Sequence, residues 1–232
     1  MKNLLLLSNS TLPGSPYLQW VLSDLSEFLS GDRRQMVFIP YAGVTVSYDE
    51  YTQRVNDALE GIDKSVRGIH TFENPRKALE SADGILVGGG NTFELLRQLY
   101  ENELMDEIRK CVSRGVPYVG WSAGSNVAGA SIGTTNDMPI SFPESFDALG
   151  LVPYQINPHY TEATLPNHGG ESRLQRLMEF LEKNQGSEVY CLPEGTYLRV
   201  ENGKTQYSGL GLEGKILRYR KDPQIIQSGS YI

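Results

Sequence analysis

The pentapeptide Gly120-Trp121-Ser122-Ala123-Gly124 stands directly after an apolar stretch, Val116–Val119. A nucleophile on a sharp turn from strand into helix needs small residues two before and two after it, because side chains there collide with the crowded turn. Such a turn lifts the Ser122 hydroxyl to the carboxyl edge of a sheet, where open α/β folds bind ligands. It also aims the Ala123 amide, at a helix start, toward a developing oxyanion. A tight Gly-Ser turn without chemistry would use the same residues. The strand before it and the small residues after it favour the nucleophile. A second cluster, Gly88-Gly89-Gly90-Asn91, follows the apolar Ile85–Val87. Consecutive glycines let backbone amides approach a ligand, so Gly89 and Gly90 can complete an oxyanion hole beside Ala123. A phosphate loop is the rival reading, but the Lys-Ser/Thr of a Walker loop and the spacing of a dinucleotide fingerprint are missing.

A serine hydroxyl is a poor nucleophile until a base removes its proton. Three histidines are available. His70 ends a predicted strand, and His168 lies in the loop-like Asn167-His168-Gly169-Gly170. His159 lies in Asn157-Pro158-His159-Tyr160, just after the extended Tyr154–Ile156, and Pro158 restricts the backbone there. His159 is the preferred base. A carboxylate must then hold the imidazole in one tautomer. Asp137 and Glu194 both sit near turn residues, and the pattern alone does not separate them.

The elements that would position these groups follow a strand-helix rhythm. Strands are predicted at Leu4–Leu7, Met36–Ile39, Val66–Ile69, Ile85–Val87 and Tyr118–Val119. Helical patterns lie between them at Tyr17–Leu29, Tyr48–Leu59, Pro75–Leu79, Thr92–Tyr100 and Leu104–Val112. That alternation implies a mostly parallel, doubly wound α/β sheet with helices on both faces. Asn91 is placed to cap the helix at Thr92, and Gly115 to end the one before Tyr118. The second half is less regular. Leu174, Leu177, Met178 and Leu181 mark one amphipathic helix. Strands are predicted at Val189–Leu192, Tyr197–Val200 and Lys215–Tyr219, with a hairpin at Asn202-Gly203. No repeat or linker divides residues 1–232, so one domain with one mixed sheet is expected.

A formal charge of -7 without a basic cluster argues against a nucleic-acid partner. No apolar run is long enough for a signal sequence or a membrane span, which points to the cytoplasm. The two cysteines, Cys111 and Cys191, form no disulfide scaffold and match no metal spacing. No cofactor is expected.

Together these motifs resemble the peptidase E family of serine peptidases, the aspartyl dipeptidases. The likeness runs from the amino-terminal Leu-Leu-Ser-Asn-Ser through Pro40-Tyr41-Ala42, Gly88-Gly89-Gly90-Asn91-Thr92, the Gly120–Gly124 elbow and Asn157-Pro158-His159-Tyr160. The resemblance implies a fold related to class I glutamine amidotransferases, with serine in place of their cysteine. It implies metal-independent cleavage of dipeptides with an amino-terminal aspartate. Carried over by motif, the triad is Ser122, His159 and Asp137, with Glu194 left as the alternative acid. Arg173 corresponds to the residue that receives the substrate's aspartate side chain. A cation at a helix start opposes the helix dipole, which suits an anion receptor; an exposed arginine paired with Glu171 would be the plain alternative. An α/β-hydrolase esterase shares the Ser, Asp, His order. The short span from Ser122 to His159, however, leaves too little chain for its usual strand-helix units. A catalytically silent small-molecule-binding protein of the same fold is the third reading. Whether the chain forms a homodimer is left open.

Overall fold

Strand β1, Leu4–Leu7, is four consecutive leucines with no exposed surface. An apolar run without alternation suits a strand covered on both faces. The computed structural model, which describes residues 2–33, 35–164 and 169–232, places β1 inside a seven-stranded sheet. Its other strands are β2 (Met36–Ile39), β3 (Arg67–Gly68), β4 (Gly84–Val87), β5 (Tyr118–Trp121), β8 (Thr196–Glu201) and β9 (Lys204–Gly209). The order is β3-β2-β4-β5-β1-β8-β9. The first five strands run parallel, and β8 and β9 join antiparallel. Strand β5, which delivers Ser122, lies in the middle.

The helices lie between the parallel strands: α1 (Leu22–Phe28), α2 (Tyr48–Leu59), α3 (Pro75–Glu80), α4 (Thr92–Glu101) and α5 (Met105–Ser113). Asn91 caps α4 by accepting the Glu94 amide, and Gly115 follows α5 in the left-handed region, as their types require. The helix expected from Tyr17 begins only at Leu22. Leu18 is left-handed (φ 56°) and a 3-10 turn occupies Gln19–Val21, so the first part of the apolar pattern is irregular buried chain. Strand β3 keeps only two of the four residues expected.

The one mixed sheet expected for the chain is instead divided into two sheets. Strands β6 (Gln155–Asn157), β7 (Glu188–Cys191), β10 (Gly214–Arg218) and β11 (Gln224–Ile226) form a separate four-stranded sheet in the order β11-β10-β7-β6. Helix α7 (Arg173–Lys183) covers one face of it through Leu177 and Leu181. Its other face shares a core with the large sheet, where Ile156, Tyr190 and Ile216 pack into the same cluster as Leu4, Leu6 and Ile85. The opposite face of the large sheet is closed by Leu5, Leu7, Phe38 and Trp121 beneath α1 and α2. The chain turns from β8 into β9 through Asn202 (φ 52°) and Gly203 (φ 75°), the hairpin the sequence signals. Strand β11 escaped sequence reading because two of its three residues are exposed, so it shows no apolar alternation. Among the described residues, no helix is long and apolar enough to cross a membrane.

Candidate active site

Ser122 adopts φ 53° and ψ -112°, a conformation that a residue with a side chain holds only where its surroundings dictate it. They do so through short contacts. The Ser122 amide donates to the Leu7 carbonyl at 3.1 Å, tying the turn to the end of β1. Ser125 Oγ donates to the carbonyls of Leu7 and Gly120, at 2.6 and 2.9 Å. The buried Tyr118 hydroxyl donates to Gly124 O at 2.6 Å. A Cβ on Gly120 would lie 2.4 Å from Gly124 O, and one on Gly124 would lie 2.2 Å from Val87 O. Both obstacles are backbone, so both glycines are obligatory. The following helix, α6 (Ala123–Asn126), starts directly after Ser122, which occupies its N-cap position.

His159 Nε2 lies 2.9 Å from Ser122 Oγ, and its Nδ1 lies 2.8 Å from Glu194 Oε1. With Nδ1–H donating to Glu194, Nε2 is left as the acceptor for the serine hydroxyl. His159 is also left-handed, at φ 51°. Its amide donates to Ser8 Oγ at 2.9 Å, and the Ser8 hydroxyl donates on to Leu192 O at 2.8 Å. Asn136 Nδ2 donates to Pro158 O, and Asn157 Nδ2 donates to Thr134 O and Asn136 Oδ1. Beside Glu194, the Gly195 amide donates to Asn9 Oδ1 at 2.8 Å. The buried pair Ser8-Asn9, just past β1, therefore holds both the histidine and the turn carrying the acid. Sequence reasoning assigned this pair no role. The available signal was two polar residues immediately after a wholly apolar strand, since buried polar groups need partners.

Asp137, expected as the third member, is not brought to His159. Its Oδ2 accepts from the Thr92 amide at 2.7 Å and from Thr92 Oγ1 at 2.6 Å. That places its charge at the amino end of α4, where the helix dipole favours it. The carboxylate on the imidazole is instead Glu194, the alternative acid. His70 is likewise committed elsewhere, with Nε2 2.8 Å from Asp49 Oδ1. His168 lies outside the described residues.

The Ser122 hydroxyl opens into a cavity of about 580 Å³ at the carboxyl ends of the parallel strands. Loops after β1, β2, β4 and β5 line it through Ser10, Ala42, Gly89, Gly90 and Trp121. A Cβ on Gly89 would come within 2.9 Å of Ser122 Cβ, so the loop passes directly beside the serine. Gly90 is at φ 137°, and a Cβ there would meet Ala42 O at 2.0 Å. The amides of Gly89, Gly90 and Ala123 donate to no acceptor among the described residues. Tyr51 sets the height of the loop. Its hydroxyl donates to Gly89 O at 2.9 Å and accepts from Trp121 Nε1 at 3.1 Å.

Arg173 is the first residue of α7, as its expected place at a helix start requires. It lines a separate cavity of about 210 Å³ with Thr161, Ala163 and Thr164, the segment that continues from His159. The structure does not bring it into the Ser122 cavity. Burial, helped by the neighbouring Arg176 charge, lowers its pKa from the ordinary value, and the Asp137 carboxylate opposes that shift. Glu171 approaches Arg176 rather than Arg173, so the plain surface pairing is not formed. Among the described residues Arg173 makes no ion pair.

A serine on a strand-to-helix elbow, in line with a histidine and a carboxylate at the edge of a parallel sheet, defines an α/β protein built for hydrolysis. The family described as peptidase family S51 matches residues 4–208, and the chain belongs to that family. Similar proteins named peptidase E come from Haemophilus influenzae, 50% identical over 204 residues, 88% of this chain and 94% of the relative, and from Nostoc sp., 48% identical over 208 residues, 90% and 86%. A crystal structure of a candidate peptidase E from Listeria monocytogenes superposes with a TM-score of 0.67 at 25% identity, covering 90% of this chain and 99% of that one. The crystal structure of a peptidase from an acI-B1 actinobacterium shares the fold, with a TM-score of 0.74 at 16% identity, covering 100% and 96%. The chain is a peptidase of a single α/β domain.

Proposed function

We propose that this protein is a serine-type dipeptidase that hydrolyses dipeptides carrying an amino-terminal aspartate. The observation that carries this reading is the unbroken contact from Glu194 through His159 to Ser122. Ser122 attacks the peptide carbonyl while His159 Nε2 takes its proton. The carbonyl oxygen becomes an oxyanion held by the amides of Ala123 and of Gly89 or Gly90. His159 then protonates the leaving amine, and water releases aspartate from the acyl-enzyme by the same base. Glu194 keeps Nδ1 protonated and stabilises the imidazolium.

Arg173 is proposed to hold the aspartate side chain. A half-buried guanidinium without an ion-pair partner among the described residues favours a carboxylate, and the segment after His159 connects it to the reacting centre. The test is turnover by purified protein, with EDTA present, of Asp-Leu, Asn-Leu, Leu-Leu and a nitrophenyl ester. Cleavage confined to Asp-Leu is expected. Arg173→Met should lower kcat/KM for Asp-Leu by roughly 30-fold or more while changing trace Asn-Leu cleavage little. Ester turnover without peptide cleavage would make the protein an esterase, and inactivity on all four would make it a binding protein.

A further inference from the structure

An Asp-Xaa dipeptide brings two carboxylates, one on the side chain and one at its carboxyl end, and among the described residues one arginine lines the Ser122 cavity. Among the described residues no aspartate or glutamate lines that cavity, whose other members are His159, polar groups such as Thr45 and Asn91, glycines, and apolar or aromatic groups such as Val46 and Trp121. The arginine is Arg54, on α2 one turn beyond Tyr51. Residues three apart share a helix face, so the helix that anchors the Gly89 loop through the Tyr51 hydroxyl also presents Arg54 to the same space. The guanidinium is thereby registered against the oxyanion loop.

Among the acids of α2, Glu50 feels the Arg54 charge without forming an ion pair with it. Glu50, four residues before it, accepts from the amide and hydroxyl of Ser47 in the capping box. Asp49 pairs with His70, and Asp57 accepts from Gln53. Among the described residues Arg54 forms no ion pair. An exposed guanidinium without an ion pair among the described residues, lining the same cavity as the nucleophile in an acidic protein of net charge -7, attracts an anionic group into the site.

We infer that Arg54 is a specificity-determining residue that receives the substrate's terminal carboxylate inside the Ser122 cavity, the aspartate side chain being left to Arg173. This assignment rests on the dipeptidase reading. The planar fork of arginine suits a carboxylate bidentately, which lysine cannot reproduce.

The experiment compares kcat/KM for Asp-Leu, Asp-Leu-amide and Asn-Leu in the wild type, Arg54→Gln and Arg54→Lys, with thermal melts confirming that the variants fold. Arg54→Gln should lose roughly 10- to 100-fold on Asp-Leu, mainly through KM, and Arg54→Lys should recover only part. If Arg54 takes the terminal carboxylate, the Asp-Leu to Asp-Leu-amide ratio collapses in Arg54→Gln while the Asp-Leu to Asn-Leu ratio holds. The reverse pattern would place the side chain at Arg54 and overturn the assignment. Two unchanged ratios in an active, folded variant overturn the assignment and leave the dipeptidase reading intact. A wild type that cleaves none of the three peptides overturns both.

Discussion

Glu194 and Asp137 lie in similar turns, and only the folded chain says which faces the imidazole. The His159–Glu194 pair is 39% and 47% exposed, so solvent screens its charge and orientation is its main contribution. Glu194→Gln would place an amide against Nδ1 and favour the wrong tautomer. We expect a loss in kcat of about 10²- to 10⁴-fold with an unchanged melting temperature. Asp137→Asn should do the opposite, costing about 1 kcal/mol of stability at the start of α4 and less than about tenfold in kcat. Steady-state kinetics and thermal melts on the two variants check both expectations. The opposite ranking would return Asp137 to the catalytic role. The residues legible in sequence were those whose constraint is local: Gly120 and Gly124 bracket Ser122, and Pro158 precedes His159. The acid was not legible because its choice depends on a contact spanning 35 residues and a second sheet. Ser8, Asn9 and Arg54 were missed for the same reason, since their roles exist only across elements.

At the scale of elements, the elbow is where β4, β5 and α6 approach too closely for side chains. Gly124→Ala would set a methyl 2.2 Å from Val87 O, and neither strand nor helix can retreat without moving Ser122. Overpacking of this kind costs about 1–3 kcal/mol, and here it should also lower kcat because the nucleophile shifts from His159. Gly186→Ala supplies the contrast, because a Cβ there meets nothing within 4 Å. It should fall within about 0.5 kcal/mol of the wild type at full activity. Equal effects of the two substitutions, measured by urea unfolding and kcat, would mean that the close approach does not constrain the turn. Elements of the first half were legible because buried parallel strands are continuous apolar runs and α2, α3 and α4 carry side-chain caps. Tyr48–Leu59 is predicted and observed with the same bounds. Strand β11 and the 3-10 start of the first helical region were not, being set by packing rather than periodicity.

For the whole molecule, the candidate site is an agreement between two sheets. Ser122 leaves the large sheet at β5, His159 leaves the small sheet at β6, and Glu194 sits where the chain passes from β7 back to β8. The sheets share one core, and Tyr154 joins them further: its ring stacks on Tyr190 at 3.8 Å and its hydroxyl lies 3.2 Å from Thr205 on β9. Sheets that share a core should unfold together. The protein carries probes for this. Trp121 and Trp20 pack on the far face of the large sheet. Cys111, on α5, is buried in the core against that sheet, whereas Cys191 is buried in β7 of the small one. Burial raises both thiols above their ordinary pKa, so neither should alkylate appreciably in the native state. Across a urea series, tryptophan fluorescence and pulse alkylation of each cysteine, resolved by peptide mass, should give coincident midpoints. Tyr154→Ala should lower all of them together, through a loss of about 3–5 kcal/mol. If Cys191 became reactive at lower urea than Cys111 and the fluorescence change, the small sheet would open on its own. His159 and Glu194 would then be lost from Ser122 before the fold itself is.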